Sequence, residues 1–311
     1  MEYANLRTAY GKTLAELGKT NERIVLVEAD LCKSTMGVFF EEEFPERFFE
    51  MGIAEADMAA VAAGLSLTGK IPFIASFAAF APGRCYDQIR TSICIPGLNV
   101  KICGSSAGLS DFGDGSTHQS IDDIALMRVL PGMHVFSPVD AVQTAQIVKY
   151  MASNAGPMFI RVNRNDLPVL TPEEQDFTPG KLYTMRDGCD AAIFATGIMV
   201  SIALKAADEL AAKGIEAKVL NVPSIKPLDS DAVLDICAGV GAIVTAEEHS
   251  IYGGLGDAIS SVVAPKLAIR HIRVGIQDKF GTSAQNYQVL LEHYGLTPET
   301  IVKASLDALG K

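Results

Sequence analysis

Residues 24–27, Ile-Val-Leu-Val, run apolar through consecutive positions with no polar residue between them, the pattern of a strand covered on both faces. Other short, largely apolar runs that look like buried strands stand at Ile71–Ser76, Val100–Cys103, His134–Phe136 and Met158–Val162. Between them lie stretches with helical spacing of apolar residues, around Leu6–Leu17, Glu55–Leu67, Tyr86–Ser92, Ile121–Leu130 and Ala141–Met151. Short apolar runs alternating with longer helical segments predict an α/β fold on a largely parallel sheet.

The pattern stops at Asn163. From there to Gly180 the text is NRNDLPVLTPEEQDFTPG, with three prolines, several acids and no apolar period, and it reads as a linker. Alternation then restarts: strands at Ala191–Thr196, Ala217–Asn221, Ala242–Ala246 and Ile272–Val274, helices at Ser201–Lys213, Ser230–Cys237, Leu255–Val263, Gln285–Tyr294 and Pro298–Leu309. The expectation is two open, largely parallel-sheet domains, 1–163 and 181–311, joined by a linker over 164–180.

The chain has 311 residues, 49% of them hydrophobic and 20% charged, enough apolar material for a sizeable core and too much for disorder. The formal net charge of −11, without any Lys/Arg-rich run, argues against nucleic acid and against anionic membranes, while leaving room for a local basic pocket. The most apolar stretch, Ala54–Leu67, is too short for a bilayer and carries Glu55 and Asp57. Six cysteines, Cys32, Cys85, Cys94, Cys103, Cys189 and Cys237, form no C-x-x-C and have no His at ligand spacing. The opening MEYANLRTAYGKTL lacks a signal-peptide pattern. A reduced, cytoplasmic protein is expected.

Five stretches carry polar groups suited to chemistry. Glu55 opens the Ala-rich helix of Met51–Met58 and beyond; on position alone it reads as an ordinary first-turn acid, favoured by the helix dipole. Phe77 and Phe80, in Ser76–Arg84 just past a strand, are either a stacking platform at the ligand-binding end of an α/β sheet or core aromatics. The loop Gly104–Gln119 is rich in Gly, Ser and Asp, and long loops inside compact domains are usually functional. There His118 can exchange protons near neutral pH and Asp114 can bind hydroxyls, or the loop is a Gly-rich turn with a surface His. Gly113-Asp114-Gly115 invites a diphosphate–metal reading that needs an Asn further along, but Ala141, Val142 and Gln143 stand in that region, so no metal ligand is expected in this chain. Arg161 and Arg164 end a strand, where a guanidinium grips phosphate or forms an ordinary ion pair. Glu247-Glu248-His249 and Gly253-Gly254-Leu255-Gly256 lack the G-x-G-x-x-G spacing and read as structural or subunit packing.

Together these stretches resemble the pyrimidine-binding and C-terminal domains of transketolases. The resemblance runs nearly end to end, through LRTAYGKTLAELG (6–18), EADLCKST (28–35), FPERFFEMGIAEADM (44–58), SFAAF (76–80), DGSTHQ (114–119), RVLPGMHVFSPVD (128–140) and EEHSIYGGLG (247–256). Transketolases of one chain carry an upstream diphosphate-binding domain, so this chain looks like the C-terminal subunit of a split, two-chain transketolase.

The resemblance implies an enzyme that moves a two-carbon ketol unit between sugar phosphates with thiamine diphosphate. It implies a Mg2+ ligated by a partner N-terminal subunit that carries the diphosphate-binding domain, self-association, and a heterotetramer. Glu55 matches the glutamate that hydrogen-bonds a ring nitrogen of the cofactor's aminopyrimidine and so favours the imino tautomer. Phe80 matches the aromatic stacked on that ring, with Phe77 beside it, and Asp30 an acid lining the cofactor pocket. His118 matches a residue near the cofactor and the substrate carbonyl, Asp114 one that binds a donor hydroxyl, and Arg7, Ser34 and Arg164 the groups that hold the sugar phosphate. Ser106 stands where many transketolases have a substrate-contacting His, Gly113 replaces the acid of G-E-D-G, and Asp57 replaces an amide after the glutamate. Those departures keep in view a non-catalytic scaffold with the same fold, and the similar length of beta subunits keeps a second reading within thiamine chemistry, a 1-deoxyxylulose-5-phosphate synthase-like enzyme or a 2-oxo-acid dehydrogenase beta subunit.

Overall fold

The computed structural model describes residues 2–311. The strands are β1 (Tyr3–Asn5), β2 (Ile24–Glu28), β3 (Phe48–Glu50), β4 (Ile71–Phe77), β5 (Lys101–Ser105), β6 (His134–Phe136), β7 (Met158–Val162), β8 (Asp166–Pro168), β9 (Tyr183–Arg186), β10 (Ala191–Ala195), β11 (Ala217–Asn221), β12 (Ser224–Lys226), β13 (Ala242–Ser250) and β14 (Arg270–Ile276).

A seven-stranded sheet has the order β12-β6-β7-β5-β4-β2-β3. All its neighbours are parallel except β12 with β6. A five-stranded sheet, β14-β13-β10-β11-β9, is parallel apart from β9. The fold is α/β with two mostly parallel sheets. Unbroken apolar runs became strands covered on both faces: Ile24 and Leu26 of β2 and Phe73 of β4 enter one core, Val27 and Ile74 the core on the opposite face.

Caps and stripes account for the helices. Helix Leu6–Thr20 starts where Asn5 Oδ1 accepts the amide of Thr8 at 3.2 Å. Its buried stripe of Leu6, Tyr10 and Leu14 follows the i, i+4, i+8 row. Asp140 caps helix Ala141–Ser153 through Gln143 N at 2.8 Å, and its other oxygen takes the amides of Leu170 and Thr171. That buried carboxylate pins the stretch read as linker. The same stretch contains β8, which pairs antiparallel with β1; three-residue strands of this sort are made by a distant partner and leave no local period.

The two sheets are joined by more than chain connectivity. β12, which lies between β11 and β13 in sequence, leaves the second sheet and completes the edge of the first. Arg161 at the end of β7 pairs in a bidentate manner with Asp123, at 2.8 and 3.1 Å, and donates to the Glu248 carbonyl of β13 at 3.2 Å. The Glu248 carboxyl takes the amide of Leu109 at 2.7 Å and the Asn163 side chain at 3.3 Å. Gly108, at φ +67, lies so close that a Cβ there would fall 2.3 Å from Glu248 Cδ, so only glycine fits.

Burial raises the Glu248 carboxyl from 4.5 to about 7, against the pull of Arg161. Between those values the folded protein holds a proton that the unfolded chain has released, so stability falls as pH rises from 4.5 to about 7. Glu248 adds up to about 1.4 kcal/mol per pH unit to that slope, beside the likewise raised Glu28 and Glu247 carboxyls, so in urea titrations Glu248→Gln should make the slope shallower by that amount. A slope untouched by the substitution would assign it to another group.

Among the described residues no helix is long and apolar enough to cross a membrane.

Candidate functional site

In the first sheet the chain steps from β2 to β3 on one side and then returns to β4 on the other. That reversal is a topological switch point, and ligands of open α/β sheets bind in the crevice it leaves beyond the strand C-termini. A cavity of about 270 Å³ sits there. Its walls are Ala29, Asp30 and Leu31 after β2, Ile53 and Glu55 after β3, Phe80 and Arg84 after β4, and Thr117 and His118 from the loop after β5.

Glu55 is the first residue of helix Glu55–Leu67 and is 4% exposed. Its Oε1 accepts from Arg84 Nη1 at 2.7 Å. Phe80 lines the same cavity, its ring 5.8 Å from that of Phe77 at 21° and 5.2 Å from the His118 imidazole at 72°. His118 Nδ1 meets Thr117 Oγ1 at 2.9 Å, which leaves Nε2 for a ligand. Asp30 is exposed at the rim with φ +60, and its amide donates to Glu50 Oε1 at 2.8 Å. The cavity therefore combines a buried carboxyl, a flat aromatic face and an imidazole.

Two arginines come together next to Phe77. The Arg164 guanidinium is 5.8 Å from the Phe77 ring and pairs with Asp111 at 2.9 Å. Arg7 Nη1 donates to the Ser34 carbonyl at 2.7 Å, while its buried Nε has no partner. Burial, and then the Arg164 charge, hold Arg7 below the ordinary guanidinium range. Mutual repulsion and an unused N–H are features of a site for an anion. Ser34 is held in place from below: Thr35 Oγ1 donates to the buried Glu28 carboxyl at 2.6 Å, which burial pushes well above the usual carboxylate range.

Of the expected residues, Phe77, Arg7, Ser34, Arg164, Asp114 and Ser106 are not on the cavity wall. Asp114 is exposed, just before the turn Gly115–Thr117. Ser106 is fully buried in a left-handed backbone at φ +53, with a hydroxyl that has no partner. Strain of that kind clusters at functional sites. Two residues had no role assigned from sequence. Arg84 completes the cavity wall, and its local signal is a cation four positions after an aromatic, Phe80, whose carbonyl accepts the Arg84 amide at 2.8 Å. Asp111, 3% exposed, gives no such signal, because its partner Arg164 is 53 positions away.

The Glu247–Gly256 segment needs no external ligand. Glu247 accepts the amides of Leu255 and Gly256 at 2.7 and 2.8 Å, so the start of helix Leu255–Val263 is satisfied by the chain's own carboxylate. A Cβ on Gly254 would lie 1.9 Å from that carboxylate. Among the described residues no group of three or more His, Cys, Asp or Glu side chains is placed to hold a metal.

Residues 2–169 match the family model "Transketolase, pyrimidine binding domain", and residues 180–301 match "Transketolase, C-terminal domain". A 6-deoxy-6-sulfo-D-fructose transketolase subunit of Clostridium sp. (strain MSTE9) is 42% identical over 96% of this chain and 93% of its own length. The transketolase of Homo sapiens is 34% identical over 96% of this chain, which spans 48% of that longer protein. A solved structure described as a split gene transketolase, inactive beta4 tetramer, superposes with TM-score 0.89 at 46% identity, covering 99% of both chains. Two family domains in the right order, the matched fold and this identity over nearly the whole length lead to one conclusion: the chain belongs to the transketolase family, of which it carries the pyrimidine-binding and C-terminal domains.

Proposed function

We propose that the chain is the C-terminal subunit of a two-chain, thiamine-diphosphate-dependent transketolase that moves a two-carbon ketol unit from a ketose phosphate to an aldose phosphate. The observation that carries this reading is one cavity lined by the buried Glu55 carboxyl together with Phe80 and His118. Those residues fit an aminopyrimidine: a carboxyl for a ring nitrogen, an aromatic face for stacking, and a wall largely shut off from water at Glu55. When bound, thiamine diphosphate supplies the carbon nucleophile and takes up the electron pair released on C–C cleavage.

The chain's own groups do the rest of the work. Glu55 holds a proton at the ring nitrogen, and its burial keeps bulk water from competing for it. Phe80, backed by Phe77, sets the plane of the ring, and Asp30 closes the rim. His118, with Nδ1 engaged by Thr117, presents Nε2 to the oxygens of the sugar and exchanges protons there. Asp114 reaches a sugar hydroxyl from the loop, and Ser106 offers its unpaired hydroxyl. Arg7, the Ser34 region and Arg164 hold the phosphate of the sugar. The domain at 1–163 then supplies the pyrimidine side, while 181–311, reached through 164–180, buttresses it through Arg161, Asp123 and Glu248.

The diphosphate and its Mg2+ fall to a partner N-terminal subunit, which the relatives named as transketolase subunits support. Self-association, suggested by the tetrameric relative, makes the working unit a heterotetramer in the cytoplasm. Reconstitution with the partner subunit, thiamine diphosphate and Mg2+ should give transfer between xylulose 5-phosphate and ribose 5-phosphate. Pyruvate decarboxylation in place of transfer would overturn the assignment. In the same assay Arg164→Ala should raise the KM for phosphorylated ketoses about tenfold or more, one charge-assisted contact being worth that much, and leave the KM of an unphosphorylated ketose little changed. Equal effects on both would remove Arg164 from the phosphate site.

A further inference from the structure

Arg84 makes both contacts that the reading above reserves for the aminopyrimidine. Its guanidinium carbon lies 3.9 Å from the centre of the Phe80 ring. Its Nη1 donates to Glu55 Oε1 at 2.7 Å. A guanidinium is planar and delocalised, stacks on aromatic faces and carries N–H donors around its edge, so it imitates a flat heterocycle that shares an N–H with a carboxyl. The two cannot occupy the same face of Phe80 and the same oxygen of Glu55 at once.

The surroundings allow the side chain to leave. Arg84 ends the one-turn helix Ala81–Arg84, and its side chain is 48% exposed, against 4% for Glu55. Neighbouring Gly83 has open space where a Cβ would stand. Among the described residues no second acceptor holds the guanidinium, and the one ion pair it makes there is with Glu55. For Glu55 the arrangement has a clear benefit, since a buried carboxylate without a partner is strongly unfavourable. Arg84 supplies that partner before any ligand arrives.

We propose that Arg84 is a placeholder in the aminopyrimidine subsite: in the free subunit its guanidinium covers Phe80 and neutralises Glu55, and it swings into solvent when the cofactor enters with the partner chain. The proposal rests on the assignment of Glu55 and Phe80 to the pyrimidine. It makes cofactor binding a competition within the chain. It also separates the two roles of the pocket, because the group that protects the site in the free subunit is not one that holds the ring in the loaded enzyme.

The test is calorimetric titration of thiamine diphosphate, with Mg2+, into the reconstituted two-chain complex carrying wild-type Arg84, Arg84→Ala or Arg84→Lys. Removal of the competitor should tighten cofactor binding in Arg84→Ala about tenfold, the joint worth of one half-exposed ion pair and one cation–π contact. Arg84→Lys keeps the charge and loses the plane, and should fall between the two. Guanidinium ion at millimolar concentration should weaken cofactor binding to Arg84→Ala back toward the wild-type value, which a merely structural arginine would not produce. Unchanged binding by Arg84→Ala overturns the placeholder, and weaker binding both overturns it and makes Arg84 a residue that holds the bound ring. Absence of any cofactor binding by the wild-type complex is a different result: it removes the pyrimidine assignment itself, and the placeholder with it.

Discussion

Glu55→Ala should abolish ketol transfer in the reconstituted complex, lowering kcat by about 10²–10⁴, the usual worth of a positioned acid–base group. The loss should fall on kcat, with the KM of both sugars changed by less than about threefold, because the carboxyl is assigned to the cofactor and not to the substrate. Glu55→Gln should fare no better, since an amide keeps the shape and can neither give up nor take up the proton. The free subunit should tolerate either change: the carboxyl is buried and its partner Arg84 is half in solvent. Transfer that survives in Glu55→Ala at more than about a tenth of the wild-type rate would remove the residue from the reaction.

Breaking the Arg161–Asp123 ion pair, which holds Arg161 against the Glu248 carbonyl of β13, should have the largest effect on stability. Asp123→Asn removes the carboxylate that is hydrogen-bonded to the Arg161 guanidinium, 5% exposed, and leaves it a backbone carbonyl and the more distant buried Glu247 and Glu248. Removal of one partner from a buried pair costs about 3–5 kcal/mol. Urea unfolding of Asp123→Asn should show that loss. The double variant Arg161→Met, Asp123→Leu should recover most of it, because two apolar side chains avoid the desolvation that one stranded charge suffers. If the double variant is as unstable as the single one, the pair matters for its geometry, through the contact of Arg161 with β13, and not for its charge balance.

The parts of the fold that were legible in sequence are those whose signal is local. Ile24–Val27 and Ile71–Ala75 are apolar at every position because helices cover both faces of the sheet, and each became a strand with side chains in two separate cores. Helix Glu55–Leu67 was visible with its acid at the start. The short strands were not. β1 and β8 are three residues each and exist because they meet across more than 160 positions, and Tyr3 in β1 is 60% exposed, so neither has a hydrophobic period. β12 is three residues long and takes its place from β6, in the other half of the chain.

The site divides in the same way. Asp30, Glu55, Phe80 and His118 were named from motifs, and the switch point of the sheet brings them to one cavity. What the motifs do not contain is how these groups are occupied. The Arg84 contact with Glu55 spans 29 positions and that of Asp111 with Arg164 spans 53. Both depend on where two loops meet after folding. Charge partners of this kind set the chemistry of a pocket without leaving a pattern in the text, apart from the Phe80–Arg84 spacing.

The migration of β12 has a consequence for any attempt to dissect the protein. A cut in the segment that connects the sheets would hand the finishing strand of one sheet to the other fragment, and β6 would be left with an open, unsatisfied margin ready to recruit foreign backbone. Neither piece would be a self-sufficient folding unit, and the two halves should protect their amides from exchange, and surrender them, as one body.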